Sequence, residues 1–311
     1  MDVYNAVWPT DAFTMAEVES FKRSMLDYVD FLARIDGQPV GSGVGVVGPH
    51  RPDQVNANTT VLPEHRRRGV GTALYEAISA WAAERGLDKL VARVSDDDPQ
   101  SLVFAQKRGF VQITHEKGLV LRLDEIEEPP VGLPDGVEIA TWADRPGIER
   151  GLYEVALEGY PDIPGQEDDA VEPFEGWLEH EMRGSGDRED ATLVALSGDE
   201  VVGYAKFSLT DAQPATAHHD LTAVKRAWRG RGIAGALKAA QIRWAKEHGY
   251  EELRTSNEEG NEPIRRLNAR LGYRPAPGRI FLEGPLSGAP CANTPSGRAV
   301  RPDGEQGAKS S

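Results

Sequence analysis

The chain has 311 residues, of which 39% are hydrophobic and 7% aromatic, and a formal net charge of −15. Single cores seldom grow beyond about 250 residues, so two domains are expected. The charge argues against nonspecific nucleic-acid binding, which relies on many Lys and Arg phosphate contacts.

No apolar run approaches the roughly 20 residues that span a bilayer. The N-terminal stretch "MDVYNAVWPTDAFTM" has neither the basic flank nor the apolar segment of a signal peptide. A cytoplasmic protein without membrane or nucleic-acid partners is therefore expected. The single cysteine, Cys291, argues against disulfides, thiolate metal sites and a cysteine nucleophile. His50, His65, His115, His180 and His248 show no metal-ligand spacing.

Along the chain, residues 15–28 read as a helix and "VDFLARIDGQPVGSGVGVVG" as a hairpin turning at Asp36-Gly37. No opening strand is evident before them. A strand ending at Val61 runs into "HRRRGVGTALYEAISAWAAERG", a glycine-bearing loop followed by a helix, and "KRGF" closes the segment. Prolines and glycines in "DEIEEPPVGLPDG" mark a join, with the linker at 125–136. Beyond it, "GVEIATW" reads as a strand and 147–183 as helical. "ATLVALSGDEVVGYAKFSLT" reads as a hairpin turning at Gly198-Asp199 and "HHDLTAV" as a strand. The loop and helix "WRGRGIAGALKAAQIRWAKEHG", a strand "ELRTS" and a short helix ending at Gly272 complete the order. The Gly, Pro and Ser content from 287 to 311 predicts a disordered tail.

An offset of 163 aligns 61–110 with 224–273 without a gap, and thirteen of the fifty positions are identical. A period this long indicates a duplicated domain rather than a solenoid. The expected domains are 1–124 and 137–286.

Strand, glycine-rich turn and helix N-terminus together make an anion cradle. The glycines bring backbone amides close, and the first amides of the helix lack internal partners at its positive end. Arg66–Arg68 and Arg229 with Arg231 add charge to the two loops. Neither loop is a G-x-x-x-x-G-K-[ST] motif.

The two loops resemble the GNAT acyltransferase signature [Q/R]-x-x-G-x-[G/A], as Arg66-Arg67-Arg68-Gly69-Val70-Gly71 and Arg229-Gly230-Arg231-Gly232-Ile233-Ala234. With the upstream valine, the downstream helix and the closing "KRGF" and "RLGY", the resemblance covers each domain from its hairpin onward. It implies an α/β fold, two tandem mixed-sheet GNAT domains, and acetyl-CoA (coenzyme A) as the cofactor. The resemblance further implies cofactor contacts from Val61, Arg66, Arg68, Gly69, Gly71 and Thr72 in the first copy. In the second copy it implies contacts from Val224, Arg229, Gly230, Arg231, Gly232, Ala234, Gly235 and Asn261.

The family's later motif, N-x-x-A-x-x-x-Y-x-x-x-G-F, carries an Asn on the cofactor and a Tyr that often protonates the thiolate. Here Asn261 and Asn268 stand at those places in the second copy, Asp98 and Ala105 in the first, so neither copy has the phenol.

Direct transfer to an amine needs a base near the acceptor, because an ammonium has no lone pair. Strand alternation puts His218, Asp220, Thr222 and Val224 on one face. His218, with an ordinary imidazole pKa of about 6.5, is the candidate base, and Asp220 the candidate group for holding the ammonium. The corresponding first-copy face has Val55, Ala57 and Thr59, which favours the second copy as the catalytic one. The segment 154–190 holds thirteen acidic residues and only Arg183 and Arg188 as basic ones. It includes "YPDIPGQEDD", which looks like a loop over a site, and Tyr153, Tyr160, Phe174 and Trp177 as pocket or core aromatics.

The expected activity is N-acetylation of a primary amine on a small cationic molecule or peptide, in the C-terminal copy. The alternatives are an acyl-CoA-sensing protein without catalysis, an acyltransferase for longer chains, and a mycothiol synthase-like tandem enzyme. The last type keeps an A-x-x-L-Y-x-x-L-G-F pattern that this chain lacks. The sequence leaves the oligomeric state open.

Overall fold

The computed structural model describes residues 1–49, 51–163, 171–258 and 260–288. His50, Cys291, nearly all of the expected tail and most of the "YPDIPGQEDD" loop lie outside the described residues.

The first half opens with α1 (Asp2–Val7) and α2 (Met15–Arg23). α2 starts on a capping box, in which Glu17 N–H donates to the Thr14 hydroxyl and Thr14 N–H to the Glu17 carboxylate. β1 (Asp27–Ile35) and β2 (Gln38–Val47) form the hairpin expected from the sequence. Its two turn residues, Asp36 and Gly37, have φ of 50° and 80°, as a two-residue type I′ turn requires. β3 (Val55–Val61), α3 (Val70–Glu84), β4 (Lys89–Ser95), α4 (Pro99–Gln106) and β5 (Val111–Arg122) follow.

The second half adds an opening strand, β6 (Val137–Thr141), with no counterpart in the first. α5 (Glu149–Gly159), α6 (Phe174–Glu181), β7 (Leu193–Ser197), β8 (Glu200–Ser208) and β9 (Thr216–Val224) come next. α7 (Ile233–Glu247), β10 (Glu252–Glu258), α8 (Glu262–Arg270) and β11 (Arg274–Pro285) complete it. The bounds of α7 and β11 are those of α3 and β5 displaced by the 163-residue offset.

All eleven strands form one mixed sheet in the order β1-β2-β3-β4-β11-β5-β10-β9-β8-β7-β6. Each half lends its closing strand to the other: β11 pairs with β4, β5 pairs with β10, and the two meet antiparallel at the centre. The cores follow the exchange. Ile280 and Leu282 of β11 are buried with Ile78, Leu90 and Phe110 of the first half. Leu121 of β5 is buried with Ile242, Leu253 and Tyr273 of the second. Each buried aliphatic side chain is worth roughly 1.5–3 kcal/mol, so either half would be markedly weakened without its guest strand.

The feature that positions the site is a parting of strands. β3 pairs in parallel with β4 only over Val55–Ala57 with Leu90–Ala92. β9 pairs with β10 only over Thr216–His218 with Glu252–Arg254. Beyond these points the neighbours diverge, and each half has a wedge whose walls carry unpaired backbone groups. Among the described residues, no helix is long and apolar enough to cross a membrane.

Candidate active site: two wedges and two anion loops

At the mouth of each wedge a loop turns the strand into a helix, and both loops have the same shape. Gly69 and Gly232 start α3 and α7 at φ of 85° and 87°, a left-handed conformation that strains any side chain. Two residues earlier Arg67 and Gly230 are also left-handed, at 64° and 74°. Arg66 Nε donates to the Val61 carbonyl at 3.2 Å, and Arg229 Nε to the Val224 carbonyl at 2.9 Å. Neither helix has a side-chain cap, so its first amides face the loop. A Cβ at Gly69 would meet nothing within 4 Å, and one at Gly232 only the Gly132 carbonyl at 4.0 Å. Both loops are thus open anion cradles that fit a pyrophosphate.

The charged groups around the two cradles differ. In the first half Asp98 accepts from the Gln100 and Ser101 amides of α4, both at 3.1 Å, and lies 3.5 Å from Arg66. Its carboxylate is therefore occupied as a helix cap. The Thr72 hydroxyl accepts from Arg108 at 2.7 Å. In the second half the Asn261 side chain caps nothing. Asp162 accepts from both Arg226 and Arg229, the latter at 2.6 Å, and these guanidiniums hold its carboxyl down at about 2. Arg231 donates to the Ala227 carbonyl and lies over the Trp228 ring. Ala234 and Gly235 lie in the first turn of α7, as Gly71 and Thr72 do in α3. Arg68 is exposed on the loop.

The expected strand face needs correction. β8 and β9 pair with a register shift: Ala205 lies opposite Thr222, but Phe207 lies opposite His219. One extra residue in β9 makes a bulge near Asp220, and a bulge breaks the two-residue alternation. Thr222 and Val224 therefore face α7, with Val224 in the cluster of Ile233 and Leu237. Asp220 remains on the opposite face, where it meets Lys206, whereas His218 lies opposite Arg254 in the stretch still paired with β10, beside Gln213 and near Asp11 and Arg279. β3 pairs with β2 without any shift.

On that face Lys206 is buried between two carboxylates, at 2.8 Å from Asp187 and 2.7 Å from Asp220, and also donates to the Glu181 carbonyl. Burial works against the Lys206 ammonium, but Asp220 and Asp187 outweigh it and raise its pKa. Burial pushes Asp187 up despite the lysine. Asp220 is the open member of the group, with 43% of its side chain exposed. Burial also lowers the pKa of His218, whose ring lies 3.3 Å from Gln213 Oε1. Its imidazole is thus neutral near pH 7 and able to accept a proton. His219 points the other way and is hydrogen-bonded to the Tyr273 hydroxyl.

Most described acids of 154–190 are already paired. Glu154 holds Lys225, Asp162 the two loop arginines, Glu172 His180 and Asp190 Arg188. Trp177 is fully buried, and Tyr153 and Phe174 pack against it as core. Sequence reading missed Lys206 and Asp162. A lysine among the apolar residues of "EVVGYAKFS" was a signal for the first, and the second lies within the "YPDIPGQEDD" stretch.

In the first half the wedge contains a cavity of about 80 Å³. Tyr75, Ile78, Phe104 and Phe110 line it from the α3 and α4 side, and Trp8, just after α1, forms part of its wall.

The model of the Acetyltransferase (GNAT) family matches residues 2–110 and 150–273. A mycothiol acetyltransferase of Nocardia farcinica is 28% identical over 254 residues, covering 79% of each chain. An L-2,4-diaminobutyric acid acetyltransferase of the same organism is 34% identical over 90 residues, 27% of this chain and 46% of that one. Among solved structures, a tandem GNAT protein from the clavulanic acid biosynthesis pathway superposes with a TM-score of 0.73 at 23% identity, covering 91% of this chain and 93% of that one. An N-acetyltransferase of Sphaerobacter thermophilus gives 0.70 at 21%, covering 91% and 90%.

Proposed function

The chain belongs to the acetyltransferase (GNAT) family as a tandem, two-domain N-acetyltransferase, and on that premise we propose that its second half acetylates a primary amine on a small cationic molecule, with acetyl-CoA as donor. The observation that carries this reading is the coincidence, in that half alone, of an open anion loop with a half-exposed carboxylate, Asp220, at the bulge of the strand that feeds it, and a neutral imidazole, His218, two residues earlier on that strand.

Gly232 and the first amides of α7 would hold the pyrophosphate, with Arg231 and Asn261 beside it and Arg229 bracing the loop against Val224. Bound there, acetyl-CoA supplies an activated acetyl thioester. Asp220 attracts the ammonium form of the acceptor, since Asp187 and Asp220 together exceed the single charge of Lys206. Neutral His218 accepts a proton from that ammonium, which frees the lone pair for attack. Lys206 fixes the Asp220 carboxylate and acts as a positioning residue.

The first half has a complete loop but lacks acceptor chemistry. Its strand is unbulged, its matching face has no titratable group, and Trp8 stands in the wall of its cavity. We assign it coenzyme binding and support of the shared sheet.

A second reading, acetylation of a mycothiol-type acceptor, is favoured by the 79% coverage of the Nocardia relative. Against it stands Asn268 where that type carries the phenol.

The test is a thiol-release assay with acetyl-CoA and a panel of polyamines, amino sugars, diamino acids and the mycothiol precursor amine. Turnover on a cationic amine, lost in Asp220→Asn, supports the first reading. Turnover confined to the mycothiol precursor supports the second. Stoichiometric binding without release would leave only a coenzyme-binding protein.

A further inference from the structure

The two wedges differ most at their inner ends. In the first half, Tyr75, Ile78, Val94, Ala105 and Phe110 line the cavity. The equivalent residues of the second half are Lys238, Gln241, Asn257, Asn268 and Tyr273, which add a cation and three amides. These residues converge with His219, the first residue of β9 beyond its pairing with β10. The His219 ring is hydrogen-bonded to the Tyr273 hydroxyl, and Gln241 lies beside it. Lys238 Nζ lies 5.6 Å from the Tyr273 ring centre. Asn268 Nδ2 donates to Asn257 Oδ1 at 2.7 Å.

The cluster is buried and unfinished. Gln241 and Asn268 are fully buried, Lys238 is 2% exposed and His219 8%. His219 Nδ1, both amide atoms of Gln241 and Asn268 Oδ1 have no partner in good hydrogen-bond geometry, the nearest approach being that of Gln241 to the His219 ring. Lys238 has no carboxylate beside it, and burial alone pushes its ammonium down to about 7. A native interior leaves few polar atoms without partners, and four at one place point to a polar ligand. The unfinished groups are three donors, the Lys238 amine, the Gln241 amide nitrogen and, when the phenol donates to Nε2, His219 Nδ1–H, and two acceptors, Gln241 Oε1 and Asn268 Oδ1. The cation and the two neutral donors beside it match a carboxylate. The cluster sits on the α7 and α8 face of the sheet, whereas Asp220 lies on the opposite face with Lys206. A group entering it therefore comes from the donor side.

We propose that the inner end of the second wedge is a subsite for the carboxylate of a dicarboxylic acyl chain, so that this half takes a carboxylate-terminated acyl thioester of coenzyme A more tightly than an alkyl one. This rests on the reading that the second wedge holds a coenzyme A thioester. Lys238 is the specificity-determining residue, with Gln241 and His219 as neutral donors.

Calorimetric titration of succinyl-CoA, butyryl-CoA and coenzyme A itself tests it, because the two thioesters share a four-carbon chain and differ at the carboxylate. The wild type should bind succinyl-CoA about tenfold or more tightly than butyryl-CoA. Lys238→Met, checked by thermal melting, should bring the two affinities together without changing that for coenzyme A. Gln241→Leu serves as a second variant and should narrow the same difference. Gly232→Glu should remove the preference altogether and so assign it to this wedge. Equal binding of the two thioesters by the wild type, or a preference that survives Lys238→Met, overturns the subsite while leaving the coenzyme reading standing. Failure of coenzyme A itself to bind the second half overturns both.

Discussion

The two halves keep the same loop backbone and differ in nearly every group around it. Both helices open at a left-handed glycine, both arginines reach back to a strand valine carbonyl, and both wedges part after three paired residues. Yet the first half seals Asp98 into a helix cap, keeps β3 regular and puts Trp8 in its cavity wall. The second half leaves Asn261 free of capping, bulges β9 and exposes Asp220. Backbone shape is fixed by steric demands that few residues meet, whereas a cleft can change its chemistry one side chain at a time. On the proposed function, an intact anion loop is a record of ancestry and the acceptor face decides which half works.

The loops offer the largest effect by which to break this comparison. Gly232→Glu puts an anion and a strained φ where the pyrophosphate should lie. Losing two charge-assisted hydrogen bonds implies a fall of roughly 100-fold or more in kcat/KM. Gly69→Glu should leave turnover within about threefold while removing one bound coenzyme per chain, since additive effects of remote sites are small. Equal damage from both variants in a steady-state assay would erase the distinction between the halves.

The strand exchange gives the next. Leu282→Ala should cost about 2–5 kcal/mol, and amide exchange should report the loss in β2 and β3 of the first half. Leu121→Ala should do the reverse, loosening β9 and α7. Protection lost in the half that donates the residue in sequence would contradict the pairing.

A sharper comparison comes from pH. A base must be neutral to act, and burial lowers the His218 pKa below its ordinary value. The acid limb of kcat/KM should therefore lie below the imidazole's usual 6.5 or so. His218→Ala should remove that limb and lower kcat/KM by roughly 100-fold, with coenzyme affinity unchanged by calorimetry.

Stability offers a separate pH effect through Lys238, whose folded pKa of about 7 lies below the unfolded 10.5. Between those values the unfolded chain binds more protons, so stability should rise with pH across that window. Lys238→Met should flatten the rise in a series of thermal melts, while Tyr75→Phe, at the equivalent place in the first half, should leave it intact.

The smallest effect is at Arg67. Arg67→Gly should relieve a left-handed arginine and gain about 1 kcal/mol, read in chemical denaturation. Gly230→Arg should cost a similar amount.

Much of this was legible in residues alone. The 163-residue repeat, the Asp36-Gly37 hairpin and the loop glycines are set by local period and backbone freedom, which a sequence carries openly, whereas the helix read over 15–28 ends at Arg23 and its last two residues join β1. Other features are decided by partners far away in the chain. That β5 and β11 change places depends on which sheet edge each meets, and "VQITHEKGLVLR" reads the same in either position. The β9 bulge depends on the pairing of β8, and it alone separates His218 and Asp220 from Thr222 and Val224. The acids of 154–190 suggested a charged cleft, but the fold brings Lys206, Lys225, Arg226 and Arg229 against them and neutralises most of what composition implied. Local geometry is written within a few residues of itself; strand register and the pairing of buried charges are settled only when distant segments meet.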